Sequence, residues 1–114
     1  MPIRLNVEML AHCYDMTAAS KPLSKWNLPS SEDIKFKLVP RRSFYGRYIY
    51  EGGVHTIEIS TKSVGTFYTL VSTMVHEQCH LHQSLLDLPV EDDAAFEVLA
   101  DVVCKELELD RLAF

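Results

Sequence analysis

The sequence has few cysteines, and their spacing does not suggest a set of disulfide bonds. The three cysteines, Cys13, Cys79 and Cys104, are odd in number and far apart, and no C-x-x-C pair occurs. This spacing argues against a disulfide scaffold, and the missing C-x-x-C pair excludes an appended zinc ribbon. The sequence therefore predicts buried, reduced thiols and a cytoplasmic location.

Long apolar runs and an excess of positive charge are also missing. Nowhere do about eighteen apolar residues follow one another, and the N-terminal stretch lacks the apolar core of a signal peptide. A net charge of -5 argues against a general binder of nucleic-acid backbones. Arg41, Arg42 and Arg47 form a short basic cluster that we interpret as a solvated loop. We expect a soluble intracellular protein with no membrane partner and no strong nucleic-acid signal.

Length and hydrophobic periodicity predict one small α+β domain. With 114 residues, of which 47% are hydrophobic, residues 1–114 can build a single core. Periods of 3.6 and 2 residues predict an N-terminal helix over 3–19, strands over 34–38, 44–50 and 54–60, and helices over 66–86 and 91–110. Gly52 and Gly53 mark a hairpin turn, so we expect a short antiparallel three-stranded sheet. The core stripe predicted for the helix over 66–86 is Phe67, Leu70, Val71, Met74, Leu81 and Leu85.

The stretch from His76 to His80 reads H-E-Q-C-H and contains the residues that we predict to form a metal site. On a helix, His76 and His80 stand at i and i+4 on one face, where both imidazoles can bind one metal ion. Zinc (Zn2+) suits such a pair because it takes neutral imidazole nitrogens and leaves a position for water. Glu77 would then act on that water as a general base without ligating the metal. The alternative is a solvent-facing helix that carries two histidines.

A third ligand is needed, and three acids are candidates. On a helical wheel Asp92 falls about 40° from the buried Phe96, and Asp93 about 60° away on the other flank. Glu97 lies about 100° away and shares a polar face with Asp101. We rank Asp92 first, then Glu97, then Asp93; the alternative role for Asp92 is a helix N-cap.

The remaining candidate ligands are interpreted as structural. His82 points about 160° away from His80, as a surface or packing residue would. Cys79 and Cys104 are expected to be buried free thiols, and His12 a partly exposed side chain. The candidate hydrogen-bond donors to an oxyanion are Tyr45, Tyr48, Tyr50, Tyr68 and His55, and the sequence does not rank them.

The chain from about residue 44 to 110 resembles the SprT-like family of zincin metallopeptidases. The resemblance rests on Tyr45-Gly46, Ile57-Glu58-Ile59-Ser60, His76-Glu77-x-Cys79-His80 and Ala94-Ala95-Phe96-x-x-Leu99-Ala100-x-x-Val103-Cys104. The fourth place of the motif is often cysteine in that family. Where the family usually has a third histidine, four residues before the helical phenylalanine, this chain has Asp92. The runner-up is a minimal gluzincin, in which Glu97-x-x-x-Asp101 would supply the third ligand and a supporting carboxylate.

The resemblance implies a small zincin-like domain and a zinc metalloendopeptidase that hydrolyses a protein or peptide substrate. It also implies that the Ile57 to Ser60 strand aligns an extended substrate by main-chain hydrogen bonds. A His-His-Asp site would activate water more weakly than three histidines, since a carboxylate lowers the charge felt by the water. Larger relatives act on DNA-bound proteins, but their basic parts are missing here. The rival hypothesis is a degenerate zincin that binds metal for stability or serves as an interaction module.

Overall fold

Residues 3–114 are described by a computed structural model, and they fold into helices packed against a three-stranded sheet. Along the chain the elements are α1 (Val7–Ala18), β1 (Ile34–Val39), β2 (Gly46–Glu51), β3 (Val54–Ser60), α2 (Phe67–Leu85) and α3 (Ala94–Leu107). Two short 3-10 turns, at 23–25 and 31–33, lie between α1 and β1. The predicted α+β class is confirmed.

Side-chain caps decide where the helices begin. Asn6 accepts a hydrogen bond from the Met9 N–H at 2.8 Å, so α1 begins later than the predicted Ile3. Thr66 caps α2 in the same way. Asp93 accepts from the backbone N–H of Phe96 at 3.1 Å, and α3 therefore begins after it.

The sheet is mixed, so the prediction of an antiparallel sheet is wrong for one of its strands. The strand order is β1-β3-β2, with β3 antiparallel to β2 and parallel to β1. The two-residue turn of Gly52 and Gly53, both at positive φ, joins β2 directly to β3. No tight turn joins β1 to β2; the chain over 40–45 instead crosses the end of β3, which takes the central place.

This order leaves β2 with a free edge in the described part of the chain. Because β3 is paired on both sides, the expectation that Ile57 to Ser60 align a substrate is wrong. The Ser60 N–H donates to the Tyr45 carbonyl at 2.8 Å, and hydrogen-bonded pairs alternate along an antiparallel ladder. Consequently the backbone groups of Arg47 and Ile49 face β3, and those of Gly46 and Tyr48 face away from it.

Two buried clusters hold the helices in place. In the first, Tyr48 of β2 and Ile57 of β3 lie in one core with Leu70 and Met74 of α2. The second lies between α2 and α3 and consists of Leu23, Val75, Cys79, Phe96, Ala100, Val103 and Cys104. Between them, these clusters bury α2 on two sides, and its H-E-x-x-H segment lies at the junction of the sheet with α3.

The predicted core stripe of α2 is correct in its middle and wrong at its ends. Leu70, Met74 and Leu81 are fully buried, but Phe67 is 56% and Leu85 40% exposed. Both exposed residues lie in terminal turns, which extend past the sheet and α3. Among residues 3–114, no helix combines the length and the apolar character that crossing a membrane requires.

Candidate metal centre

His76 and His80 lie one turn apart on α2 and face the same space. Their rings are 5.1 Å apart between centroids, and Phe96 of α3 packs on both, at 4.7 Å and 4.6 Å. His80 is buried and His76 is half-buried. The alternative interpretation required two solvent-facing histidines, and neither His76 nor His80 faces solvent.

The Nδ1 atom of each histidine is occupied by a hydrogen bond inside the protein. His76 Nδ1 lies 2.7 Å from the backbone oxygen of Phe114, which can only accept. His80 Nδ1 lies 2.8 Å from Gln83 Oε1. The orientation of that amide follows from its Nε2, which donates to the Glu91 carbonyl at 3.2 Å. Both Nδ1 atoms therefore carry the proton, and both Nε2 lone pairs are free for a metal.

Asp92 completes a group of three ligand atoms. Its Oδ1 is 3.0 Å from His80 Nε2 and 3.7 Å from His76 Nε2. The ligand atoms of these three residues lie within 4.8 Å of one another, so the group could hold a metal ion. Two ligands of a tetrahedral zinc at 2.0 to 2.2 Å are separated by about 3.3 to 3.6 Å. The donor set and its spacing therefore fit a divalent cation such as zinc.

Burial favours the protonation state that metal binding needs. The pKa of His76 is lowered mainly by desolvation and further by the neighbouring His80. A histidine ligates through a neutral ring, so a lowered pKa reduces the competition from protons.

Glu77 is buried beside this group and points into the space between α2 and β2. Burial raises the pKa of its carboxyl to about 8, with a smaller contribution from Asp92, while a hydrogen bond with the Tyr48 backbone opposes the shift. Gly46 makes room for it, because a Cβ there would lie 3.3 Å from Glu77 Cγ. In the metal-free protein this carboxyl takes up a proton readily, as a group that accepts and returns protons must.

The other two candidate acids are engaged elsewhere. Glu97 and Asp101 both form ion pairs with Arg111. Asp93 is the N-cap of α3 and also accepts from Gln83 Nε2 at 3.3 Å. Asp92 is not on the helix as the wheel assumed; it precedes α3, and its largely exposed carboxylate reaches the histidines from the connection between α2 and α3.

Two adjoining cavities meet at the metal centre. One of about 370 Å³ contains the three candidate ligands, and one of about 440 Å³ extends away from them; both include Gly46, His76 and Glu77. The lining of the larger cavity includes four aromatic side chains, those of Phe44, Tyr45, Tyr68 and Phe114. An extended chain crossing the centre could place an apolar side chain there.

The five candidate oxyanion donors fall into two groups. Tyr45 and Tyr68 line the larger cavity next to Glu77. Tyr48 directs its hydroxyl to His55 Nδ1 at 2.6 Å, and Tyr50 stacks on the same ring. Tyr48 also lines the smaller cavity, but its hydroxyl is engaged with His55.

Among residues 3–114, the remaining histidines and the cysteines are not part of the His76, His80 and Asp92 group. His82 stacks on Trp26 with ring centroids 4.4 Å apart, and is thus a packing residue as predicted. The three cysteines are free and buried. His12 is exposed.

Two residues of the site were not found from the sequence. Gln83 stands one turn after His80 and is completely buried. In the sequence it cannot be told from a glutamine on the protein surface. Phe114 reaches His76 from 38 positions away through a backbone atom, so no side-chain pattern could indicate it.

Comparison with models of protein families, with curated proteins and with solved structures yields no match to this chain.

Proposed function

We propose that the protein is a zinc-dependent metallopeptidase in which His76, His80 and Asp92 hold the metal and Glu77 is the general base. The observation that carries the proposal is the convergence of two Nε2 atoms and one carboxylate oxygen beside a buried glutamate. A site that bound metal for structure alone would have no use for an acid at that place. The resemblance to SprT-like peptidases agrees with this arrangement.

Zinc, when bound there, supplies the Lewis acidity that polarises a scissile carbonyl and lowers the pKa of water. Glu77 removes a proton from the attacking water and passes it to the leaving amine. Its buried position excludes bulk water from that transfer. Tyr45 or Tyr68 donates a hydrogen bond to the oxygen on which negative charge develops.

The free edge of β2 aligns the substrate. Gly46 and Tyr48 direct backbone groups away from β3, and both residues line the cavity that holds the candidate ligands. The Tyr48 N–H already donates to Glu77, so the groups left for a substrate are the N–H and carbonyl of Gly46 and the carbonyl of Tyr48. An extended peptide can pair with such an edge by main-chain hydrogen bonds. This assigns to β2 the role that the sequence suggested for β3.

A pair of measurements tests the proposal. Zinc content is measured on purified wild type and on the Glu77→Gln variant, and both proteins are incubated with an unfolded protein substrate whose fragments are identified by mass spectrometry. We expect equal zinc in both proteins and cleavage by the wild type alone. Zinc without cleavage in either would support the interaction-module alternative, and a wild type without zinc affinity would contradict both hypotheses.

A further inference from the structure

The segment that follows α3 forms one wall of the metal centre without offering a ligand. Residues 108–114, which we call the return segment, begin where Glu108 adopts a positive φ of 57° and reverses the chain. The Asp110 N–H donates to the Tyr68 hydroxyl at 2.6 Å. The Asp110 side chain in turn caps the short turn over 111–113. The segment is thereby folded back against α2.

Arg111 fastens the return segment to α3. Its Nε donates to Asp101 Oδ1 at 2.8 Å, and its guanidinium also pairs with the Glu97 carboxylate. These two acids are the E-x-x-x-D pair that would ligate and support the metal in a gluzincin. Here one arginine satisfies both, so they act on the segment and not on the metal.

Phe114 connects the fastened segment to His76. Its backbone oxygen accepts the His76 Nδ1 proton at 2.7 Å, and its ring lies 5.0 Å from the imidazole. Without that acceptor the imidazole could exchange tautomers or rotate, and its Nε2 lone pair would face Asp92 for only part of the time.

We infer that Arg111 is a positioning residue of the metal centre: held by Glu97 and Asp101, it places the Phe114 oxygen that orients His76 toward the metal. The inference rests on the metal binding of the proposed function but does not depend on peptidase activity. Loss of a direct hydrogen-bond partner of a ligand costs about 10- to 100-fold in metal affinity. Arg111 acts one step further away, so we expect its removal to weaken zinc binding about 3- to 10-fold.

Zinc affinity is measured by competition with a chromophoric chelator for the wild type, Arg111→Ala and the control Lys105→Ala, which changes another cation of α3. We expect weaker binding in Arg111→Ala and no change in the control. The Glu97→Gln/Asp101→Asn double variant should weaken binding as much as Arg111→Ala. Adding Arg111→Ala to that double variant should have no further effect, because all three residues act through one contact.

The tautomer of His76, read from long-range nitrogen–proton NMR spectra of the metal-free protein, separates positioning from a general loss of stability. We expect Nδ1-protonated His76 in the wild type and a mixture in Arg111→Ala, with His80 unchanged in both because Gln83 still holds it. Arg111→Lys, which keeps a charge but not the two-acid geometry, should fall between the two.

Three results would overturn the inference. Equal zinc affinity of Arg111→Ala and wild type would show that the segment does not orient His76. Further weakening by Glu97→Gln in the Arg111→Ala background would make Glu97 a ligand. A single, unchanged His76 tautomer in Arg111→Ala would place the orientation elsewhere. A wild type that binds no zinc would contradict the proposed function as well, which distinguishes that failure from the other three.

Discussion

Glu77 is the residue whose chemistry depends most on its surroundings. It lies in the interior beside Gly46, and burial raises the pKa of its carboxyl to about 8. A cation bound at His76 and His80 would favour the ionised form of this neighbouring carboxyl. Metal binding at the proposed site would therefore convert Glu77 from a protonated carboxyl into a carboxylate that can accept a proton.

The stability of the metal-free protein should report this carboxyl. Because the pKa in the folded state is raised from 4.5 to about 8, the folded protein keeps a proton that the unfolded chain releases. The stabilising contribution is complete below pH 4.5 and is lost as the pH rises to about 8, with a slope of up to about 1.4 kcal/mol per pH unit. Urea unfolding with a chelator present should show this loss in the wild type and not in Glu77→Gln. Parallel pH profiles for the two proteins would contradict the assignment.

Gln83 should affect metal binding, and Gln78, another buried glutamine of α2, should not. Gln83→Leu removes the acceptor of the His80 Nδ1 proton, so we expect zinc affinity to fall about 10- to 100-fold. Gln78→Leu removes an equally buried amide, which bonds Thr17 at 2.7 Å and joins α2 to α1. Both variants should be less stable to urea, but chelator competition should show weakened zinc binding only for Gln83→Leu. Equal zinc affinities would remove Gln83 from the site.

At the residue scale, local spacing in the sequence pointed to the three residues that the structure brings together, His76, His80 and Asp92, but not to the residues that hydrogen-bond the two histidines. His76 and His80 follow from the helical repeat. Asp92 was placed by extending the wheel of α3 backward from Phe96, although α3 begins after Asp93. Asp92 nevertheless lies beside the histidines, with its Oδ1 atom 3.0 Å from His80 Nε2. The Nδ1 partner of His76 is the Phe114 backbone 38 positions away, which local spacing does not encode. Gln83 does stand one turn after His80, but its amide is oriented by the Glu91 carbonyl outside the helix, which the spacing does not show either.

At the scale of the elements, β2 and α2 come into close contact where Gly46 lies against Thr73. A Cβ at position 46 would lie 2.7 Å from Thr73 Cγ2 and 3.1 Å from the Glu58 carbonyl oxygen. There is therefore no room for a side chain larger than that of glycine at position 46. This contact lies between β2, which carries the proposed substrate edge, and α2, which carries the proposed general base.

Gly46→Ala should separate these two elements. We expect a loss of about 1 to 3 kcal/mol in the free energy of unfolding, because the added methyl group overpacks the contact. Thr73→Ser removes Cγ2, so the Gly46→Ala/Thr73→Ser protein should recover part of the loss, with Thr73→Ser alone as the control. Urea titrations of the four proteins measure the coupling. Additive effects of the two substitutions would show that the methyl groups do not meet.

The strands themselves were predictable, but the order of β1 in the sheet was not. Alternation of Ile34 and Phe36 with lysines identifies β1 and the side it buries. The Gly52-Gly53 turn identifies the β2–β3 hairpin. Neither pattern indicates whether β1 pairs with β2 or with β3. In both arrangements β1 would bury the same side chains.

For the whole molecule, the proposed metal would join α2 to the exposed connection that precedes α3, adding to the hydrogen bonds that Gln83 already makes with that connection. His76 and His80 belong to α2, while Asp92 lies in the exposed connection over 86–93. A ligand that binds only the folded state raises the unfolding free energy by about 2.7 kcal/mol at a free concentration of 100 times its Kd. We expect zinc to raise the Tm and to slow amide exchange in that connection, and His80→Ala to abolish both effects. An equal rise in Tm for His80→Ala would place the zinc elsewhere.

An anomalous-difference map at the zinc edge, from crystals grown with zinc, tests the central claim most directly. The account predicts one peak about 2.0 to 2.2 Å from His76 Nε2, His80 Nε2 and an oxygen of Asp92. No peak at the two histidines, or a peak that Glu97 ligates in place of Asp92, would contradict it.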